Sequence, residues 1–134
     1  MKKIIISLII LLSCGLAHAQ TIRDSHYSTK YNVSSDGTIR GSGYQTLGYI
    51  KSDGTVQNSH YQTIGYVKDD RVQNSSYSTV GYIKKDGTIQ NSGYSTLGYI
   101  KDDGRVLDSH YSTIGSASGI KREWAAVIFF FFDF

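Results

Sequence analysis

Proline is missing from this chain, and glutamate and methionine occur once each, as Glu123 and Met1. At an average usage of about 5%, a chain of 134 residues would hold roughly seven prolines. Their lack excludes a proline-rich linker or a polyproline ligand. The scarcity of Glu and Met, both strong helix formers, argues against long helices. Charged residues are only 19% and apolar residues 40%, which fits neither a disordered tail nor a membrane helix bundle. Cysteine is single, at Cys14. What remains abundant is Gly, at 14, and Tyr, at 11. Those are residues of turns and strands, so the composition reads as a small all-β protein.

Residues 1–19 read as a secretion signal. Lys2 and Lys3 supply a positive start, Ile4 to Leu12 is a short apolar run, and Ala17-His18-Ala19 is an A-x-A cleavage site. The apolar run is too short for a transmembrane helix, which needs about 20 residues. Cleavage would start the mature chain at Gln20 and remove the only cysteine, leaving no disulfide or thiol chemistry. An alternative reads Leu11-Leu12-Ser13-Cys14 as a lipobox that anchors the protein through Cys14. The formal charge of +3 is partly the leader's; the mature chain balances 12 Lys and Arg against 11 Asp and Glu. No basic cluster survives to argue for nucleic acid.

The dominant signal is an internal repeat. Residues 48–64 read GYIKSDGTVQNSHYQTI. Residues 65–80, 81–97 and 98–114 repeat this, the first of them one residue shorter at Asp69-Asp70-Arg71. Residues 31–47 are a diverged copy, and residues 21–30 are the second half of a unit alone. A period of 17 residues is too short for a propeller blade or a helical repeat and suits one β-hairpin with its two turns. Asp36-Gly37, Asp53-Gly54, Asp86-Gly87 and Asp103-Gly104 predict tight type I′ tips. In the short copy Asp69-Asp70-Arg71 replaces the Asp-Gly, and Asp tolerates positive φ better than most residues, so a turn is expected to survive there. A second turn is expected at Asn58-Ser59-His60 and its equivalents. Gly48, Gly65, Gly81, Gly98 and Gly115 interrupt the longer strands and predict a bulge, bend or close backbone approach. Stacked or closed in a ring, the hairpins share a core, and the opening half repeat would pair with the last strand to hide the edges.

The tail differs. After the small-residue link Ser116 to Gly119, Ile120 to Trp124 leads into Ala125 to Phe134, which holds all five Phe of the chain. Residues 116–134 are therefore expected to be a linker and an apolar strand, buried on both sides against or through the ring. Repeats of the form GYIKxDGTVQxSxYxTI behind a secretion signal, ending in WAAV and a Phe run, resemble the small bacterial five-fold β-flower proteins. The resemblance covers Thr21 to Phe134. It implies a five-fold pseudo-symmetric ring of β-hairpin petals, and it brings no activity and no catalytic residues.

Few residues point to chemistry. His26, His60 and His110 share one repeat position that holds Gly43, Ser76 or Gly93 elsewhere, which reads as a permissive turn rather than a metal site. Asp69-Asp70 and Asp102-Asp103-Gly104 lack the alternation and distal Glu of a calcium loop. Asp108-Ser109-His110 has triad residue types, but neighbours on a strand face opposite ways. Glu123 beside Trp124 lacks the second carboxylate of a glycosidase. The tyrosines are the better candidates. Tyr44, Tyr61, Tyr77, Tyr94 and Tyr111 read chiefly as packing. Tyr49, Tyr66, Tyr82 and Tyr99 abut the flexing Gly and are the candidate ligand-binding set, for glycan or peptide, with avidity from repetition.

The expectation is therefore an exported, monomeric, non-enzymatic binding or envelope module without cofactor or metal, located in the periplasm, on the cell surface or outside the cell. Two alternatives stand beside it. Ile128, Phe130, Phe132 and Phe134 alternate as in the closing strand of an outer-membrane barrel, although spanning strands need about 9–11 residues. Polar repeats rich in Asn, Gln, Ser and Tyr also suit a functional amyloid.

Overall fold

The computed structural model describes residues 20–134; the signal-peptide and Cys14 readings lie outside the described residues. Twelve short antiparallel strands follow one another: β1 (Gln20–Asp24), β2 (Thr29–Val33), β3 (Thr38–Gly41), β4 (Thr46–Ile50), β5 (Thr55–Asn58) and β6 (Thr63–Lys68), then β7 (Arg71–Asn74), β8 (Thr79–Ile83), β9 (Thr88–Asn91), β10 (Thr96–Ile100), β11 (Arg105–Asp108) and β12 (Thr113–Ser116). Each pairs with its sequence neighbours, and β12 pairs back onto β1 through Arg23↔Ser116 and Asp24↔Gly115. The sheet is thus a closed barrel with no free edge among its strands. The opening half repeat does close the ring.

Five hairpins end in tips: β2–β3, β4–β5, β6–β7, β8–β9 and β10–β11. The β12–β1 pair occupies a sixth place, built from the first and last strands. The expected count of five thus covers the hairpins closed by a tip, while the ring has six strand pairs.

The tips differ from expectation. Type I′ needs positive φ at both central residues. Here Gly54 alone has it, at 92°, and Asp53 does not. Gly54 N–H donates to Lys51 O at 3.0 Å, and Lys51 N–H donates to Thr55 O at 2.8 Å. This is a longer loop, with Gly fourth in the turn and left-handed as in a bulged hairpin. Asp53 caps it instead, its Oδ1 accepting the Thr55 N–H at 2.9 Å. In the shortened copy Lys68 pairs with Arg71, and Asp69 takes φ 56°.

Bulges occur in every ladder that joins one strand pair to the next. Leu47, Ile64, Val80, Leu97 and Ile114 are each skipped in the register, one residue before the repeat Gly. Lys30 is skipped in the same way between β1 and β2. Each bulge adds local twist, which helps strands this short curl into a ring.

Strand alternation sends Ile50, Val56 and their equivalents inward and the tyrosines of β4, β6, β8 and β10 outward. Ile22, Val33, Ile39, Ile50, Val56, Val72, Ile89 and Val106 are at most 1% exposed. The centre they surround is filled by the tail. That tail is helical, a correction to the expected strand. Arg122–Ala126 forms a short α-helix, α1, and Val127–Phe131 continues it as a π-helical turn in which Phe132 N–H donates to Val127 O at 3.0 Å. Ala125, Ala126 and Val127 are fully buried in the same core as the strand residues. A segment enclosed by a closed ring has no strand left to pair with, so its backbone groups must bond internally, as a helix does. The alternation of Ile128, Phe130, Phe132 and Phe134 then no longer defines one face. Among the described residues no helix is long and apolar enough to cross a membrane.

The five Phe rings meet the five repeat glycines in order. Phe129 lies against Gly115, Phe130 against Gly98, Phe131 against Gly81, Phe132 against Gly65 and Phe134 against Gly48. A methyl group at Gly48 would stand 2.7 Å from Phe134 and 2.6 Å from the Gln57 carbonyl. The close-approach reading of these glycines therefore holds, and the approaching group is the tail. At the sixth place Tyr31 stands where the repeat has Gly, and its ring packs on the core itself.

Two consequences are measurable. Phe131→Ala should cost about 2 kcal/mol in urea unfolding, below the 3–5 of a fully enclosed ring because Phe131 is half-buried. Gly81→Ala should cost about 1–3 kcal/mol by overpacking, and Phe131→Ala should not restore it, because the Gln90 carbonyl also blocks the new methyl. An unchanged midpoint in both variants would put the tail outside the ring. The tip carboxylates give a pH test. Asp36, Asp53, Asp86 and Asp103 are held below the ordinary 3.8 chiefly by backbone N–H donors. A lowered folded value favours the ionised form, so this stabilisation is complete above 3.8 and is lost as pH falls through the lowered values. The thermal midpoint should drop in that acid window, and changing all four to Asn should flatten the drop.

Candidate functional site

The second turn of each unit uses the same backbone pattern as the tip. Asn58 N–H donates to Gln62 O at 3.0 Å, and Tyr61 N–H donates to Asn58 O at 3.1 Å. Tyr61 therefore sits where the tip has its left-handed Gly, and its φ is 64°. The Asn58 side chain braces the turn, Oδ1 accepting from His60 N–H at 2.9 Å and Gln62 N–H at 3.1 Å. Asn74 and Asn91 do the same, and Asp24 and Asp108 substitute for them. Six turns put a tyrosine in this conformation: Tyr27, Tyr44, Tyr61, Tyr77, Tyr94 and Tyr111, with φ between 64° and 68°. A bulky residue with positive φ is an outlier, and the left-handed region costs an L-residue about 1–2 kcal/mol. All six rings are also 65–72% exposed. The strain is thus retained at six exposed aromatic side chains.

Four of these rings lie on a second tyrosine from the barrel wall. Tyr49–Tyr61, Tyr66–Tyr77, Tyr82–Tyr94 and Tyr99–Tyr111 stack with centroids 4.8, 4.5, 4.9 and 4.6 Å apart and planes 7–11° from parallel. In three pairs the hydroxyls hydrogen bond, at 3.0 Å for Tyr66 to Tyr77, 3.3 Å for Tyr94 to Tyr82 and 3.1 Å for Tyr99 to Tyr111. The bond to the partner hydroxyl is the main reason the phenols of Tyr66, Tyr82 and Tyr99 sit above the ordinary 10.0. Tyr61 raises the Tyr49 phenol likewise, so all four inner phenols stay neutral near pH 7. The candidate set Tyr49, Tyr66, Tyr82 and Tyr99 is thus the inner ring of each stack, and the outer face belongs to Tyr61, Tyr77, Tyr94 and Tyr111. The remaining two outer rings lack a tyrosine partner. The Arg23 guanidinium lies 4.6 Å from the Tyr27 centroid, and Asn32 takes the wall position that would face Tyr44.

A groove of about 620 Å³ runs beside the Tyr82–Tyr94 stack, lined also by Asp70, Lys84, Asp86 and Gln90. Gln57 and Gln73 take the same register place opposite Tyr49 and Tyr66, as Gln90 does opposite Tyr82. Three units therefore place a neutral amide beside the aromatic face, whereas Leu107 takes that place opposite Tyr99.

The other candidates serve the fold. His26, His60 and His110 sit in three separate turns, each with Nδ1 3.4–3.5 Å from the preceding Ser Oγ. Among the described residues no group of three His, Cys, Asp or Glu is placed to hold a metal. The Asp108 carboxylate accepts backbone N–H groups of His110 and Ser112, so it braces a turn rather than orienting an imidazole. Asp102 receives the Arg122 guanidinium at 2.9 Å. Glu123 is helical, and with Trp124 and Lys121 it lines a cavity of about 420 Å³ among the tips.

The sequence reading missed the pairing of the two tyrosine sets and the strain. Superposing the two turns, Lys51-Ser52-Asp53-Gly54 on Asn58-Ser59-His60-Tyr61, would have set Tyr on Gly and exposed the anomaly.

A closed ring of antiparallel hairpins plugged by its own helical tail, with stacked tyrosines repeated along its wall, defines a β-repeat ring of the flower type. The chain belongs to the 5-fold beta-flower protein family, whose sequence profile matches residues 19–133. No curated protein and no solved structure matches it.

Strain and stacking separate in one pair of variants. Tyr77→Gly loses the stack, worth about 0.5–1.5 kcal/mol, but relieves about 1–2 kcal/mol of backbone strain. Tyr77→Ala loses the stack and keeps the strain. Urea unfolding should therefore rank Gly above Ala at this site; the reverse order would contradict a left-handed Tyr77.

Proposed function

We propose that this chain is an exported, monomeric, non-enzymatic β-repeat protein whose outer wall binds a neutral polysaccharide. The carrying observation is the set of four tyrosine stacks, each presenting one exposed ring in a strained backbone conformation. The C–H face of a sugar ring packs against an aromatic face, and its hydroxyls need neutral donors and acceptors nearby. Gln73 and Gln90, the Asn of the turns and the tyrosine hydroxyls are groups of that kind. The inner ring of each stack fixes the outer one, so less side-chain freedom is lost on binding. A polymer of identical units suits repeated identical sites better than a peptide of varied sequence does, and repetition gives avidity to weak single sites.

Export rests on the apolar leader and Ala17-His18-Ala19, and it points to the periplasm, the cell surface or the medium. A monomer is favoured by the pairing of every strand with a neighbour in the ring. Strands of four to six residues are about half the span of a membrane barrel strand, which disfavours the outer-membrane alternative. Chemistry is disfavoured because Asp108, the carboxylate next to a Ser and a His, is committed to its turn.

Affinity electrophoresis through gels carrying neutral β-glucans, mannans or galactans tests the reading. Retardation by at least one class is expected. Tyr61→Ala should weaken it a few-fold, and the combined Ala variant at Tyr61, Tyr77, Tyr94 and Tyr111 by about 100-fold or more through lost avidity, with strand circular dichroism unchanged. Migration unaffected by every such polymer, or binding that survives the combined variant, overturns the proposal.

A further inference from the structure

We propose that the four stacked tyrosine pairs are oxidative cross-linking sites, each able to join its two rings by a carbon–carbon bond within one molecule. Coupling of two tyrosyl radicals needs their ring carbons ortho to oxygen face to face and close. Centroids 4.5–4.9 Å apart and near-parallel planes provide this before any oxidant arrives. In three pairs the hydroxyl–hydroxyl bond also sets the oxygens side by side, so the ortho carbons lie over one another rather than at opposite ends. The outer ring is 65–67% exposed, open to a bulky one-electron oxidant.

The sequence concentrates the chemistry there. Beyond Cys14 the chain holds no sulfur, because its one Met is Met1 and its one Cys is Cys14. No thiol or thioether competes for oxidising equivalents within residues 20–134, and no disulfide can brace the ring. The single Trp, Trp124, is half-buried, with the Lys121 ammonium 5.0 Å from its ring centroid.

The step balances with hydrogen peroxide and a peroxidase. Each phenol gives up one electron and one proton, and the two radicals form one ortho–ortho bond. Both ring carbons then lose their hydrogens to oxygen as the rings regain aromaticity. Overall, two phenols and one hydrogen peroxide give one biphenol and two waters. The product ties a turn residue to the wall strand 11 or 12 residues before it. Tyr27, held by Arg23, and Tyr44, whose equivalent wall position is Asn32, have no such partner and serve as internal controls.

The test treats the dilute purified protein with peroxidase and hydrogen peroxide. It follows dityrosine fluorescence, intact mass and linked peptides after proteolysis. The expected result is a monomer that has lost two hydrogens per bond, with links Tyr66–Tyr77, Tyr82–Tyr94, Tyr99–Tyr111 and Tyr49–Tyr61. Tyr66→Phe keeps the stack but removes one phenol, so it should abolish the link to Tyr77 and leave the other three. Links made only between molecules, links through Tyr27 or Tyr44 as frequent as those in the pairs, or fluorescence without intramolecular linked peptides would overturn the proposal.

Discussion

Five phenylalanine rings resting on five glycines are the contact on which the rest of this protein depends. A ring of strands four to six residues long, each pair sending two aliphatic side chains inward, cannot close over its own axis. The tail fills that space, and glycine on the wall leaves the room for each ring. The fit also explains the tail's winding. An α-helix turns about 100° per residue, whereas six places around a ring stand about 60° apart. A π-helical turn, with its i→i+5 bonds, rotates less per residue. Four consecutive rings, Phe129 to Phe132, can then meet four successive glycines. The chain becomes extended at Phe132, passes Asp133, and sets Phe134 on the fifth. Tyr31 fills the sixth place from the wall itself.

With the inside devoted to packing, the outside is free to repeat one feature. Each unit uses two turns with the same hydrogen-bond pattern, and they differ in one decisive residue. The tip puts Gly in the left-handed position at little cost; the other turn puts Tyr there and holds an aromatic ring outward over the wall. The tip bonds to its neighbour, since Val67 N–H donates to Gly54 O at 2.8 Å and Ile100 N–H to Gly87 O at 2.8 Å. One end of the repeat thus joins the petals, and the other presents tyrosines. Binding and oxidative coupling, as proposed, draw on the same stacks.

Much of this was legible because it is local. Asp-Gly marked the tips, Asn-Ser marked the second turns, and the half repeat at residues 21–30 foretold the β1–β12 closure. Val67 and Val72, alternating with outward Tyr66 and Gln73, gave the wall its faces. The misreadings share a cause. A run apolar on every side suits a strand within a sheet, yet the tail's partner is the inside of a ring, which offers no backbone to pair with. Asp-Gly suits a two-residue turn, but Asp53 braces Thr55 and leaves only Gly54 left-handed. The stacks were invisible because Tyr66 and Tyr77 lie on different strands and meet only through a backbone conformation that tyrosine rarely adopts.

The interlock of tail and ring is open to direct test by proton–carbon NMR of the glycine α-protons. An α-proton beneath an aromatic ring is shifted by the ring current. The account predicts shifted signals for Gly48, Gly65, Gly81, Gly98 and Gly115, and ordinary ones for the tip glycines Gly37, Gly54 and Gly87. Phe132→Leu should return Gly65 alone to the ordinary range. Five unshifted signals would contradict the account, because the ring would then close around something other than its own tail.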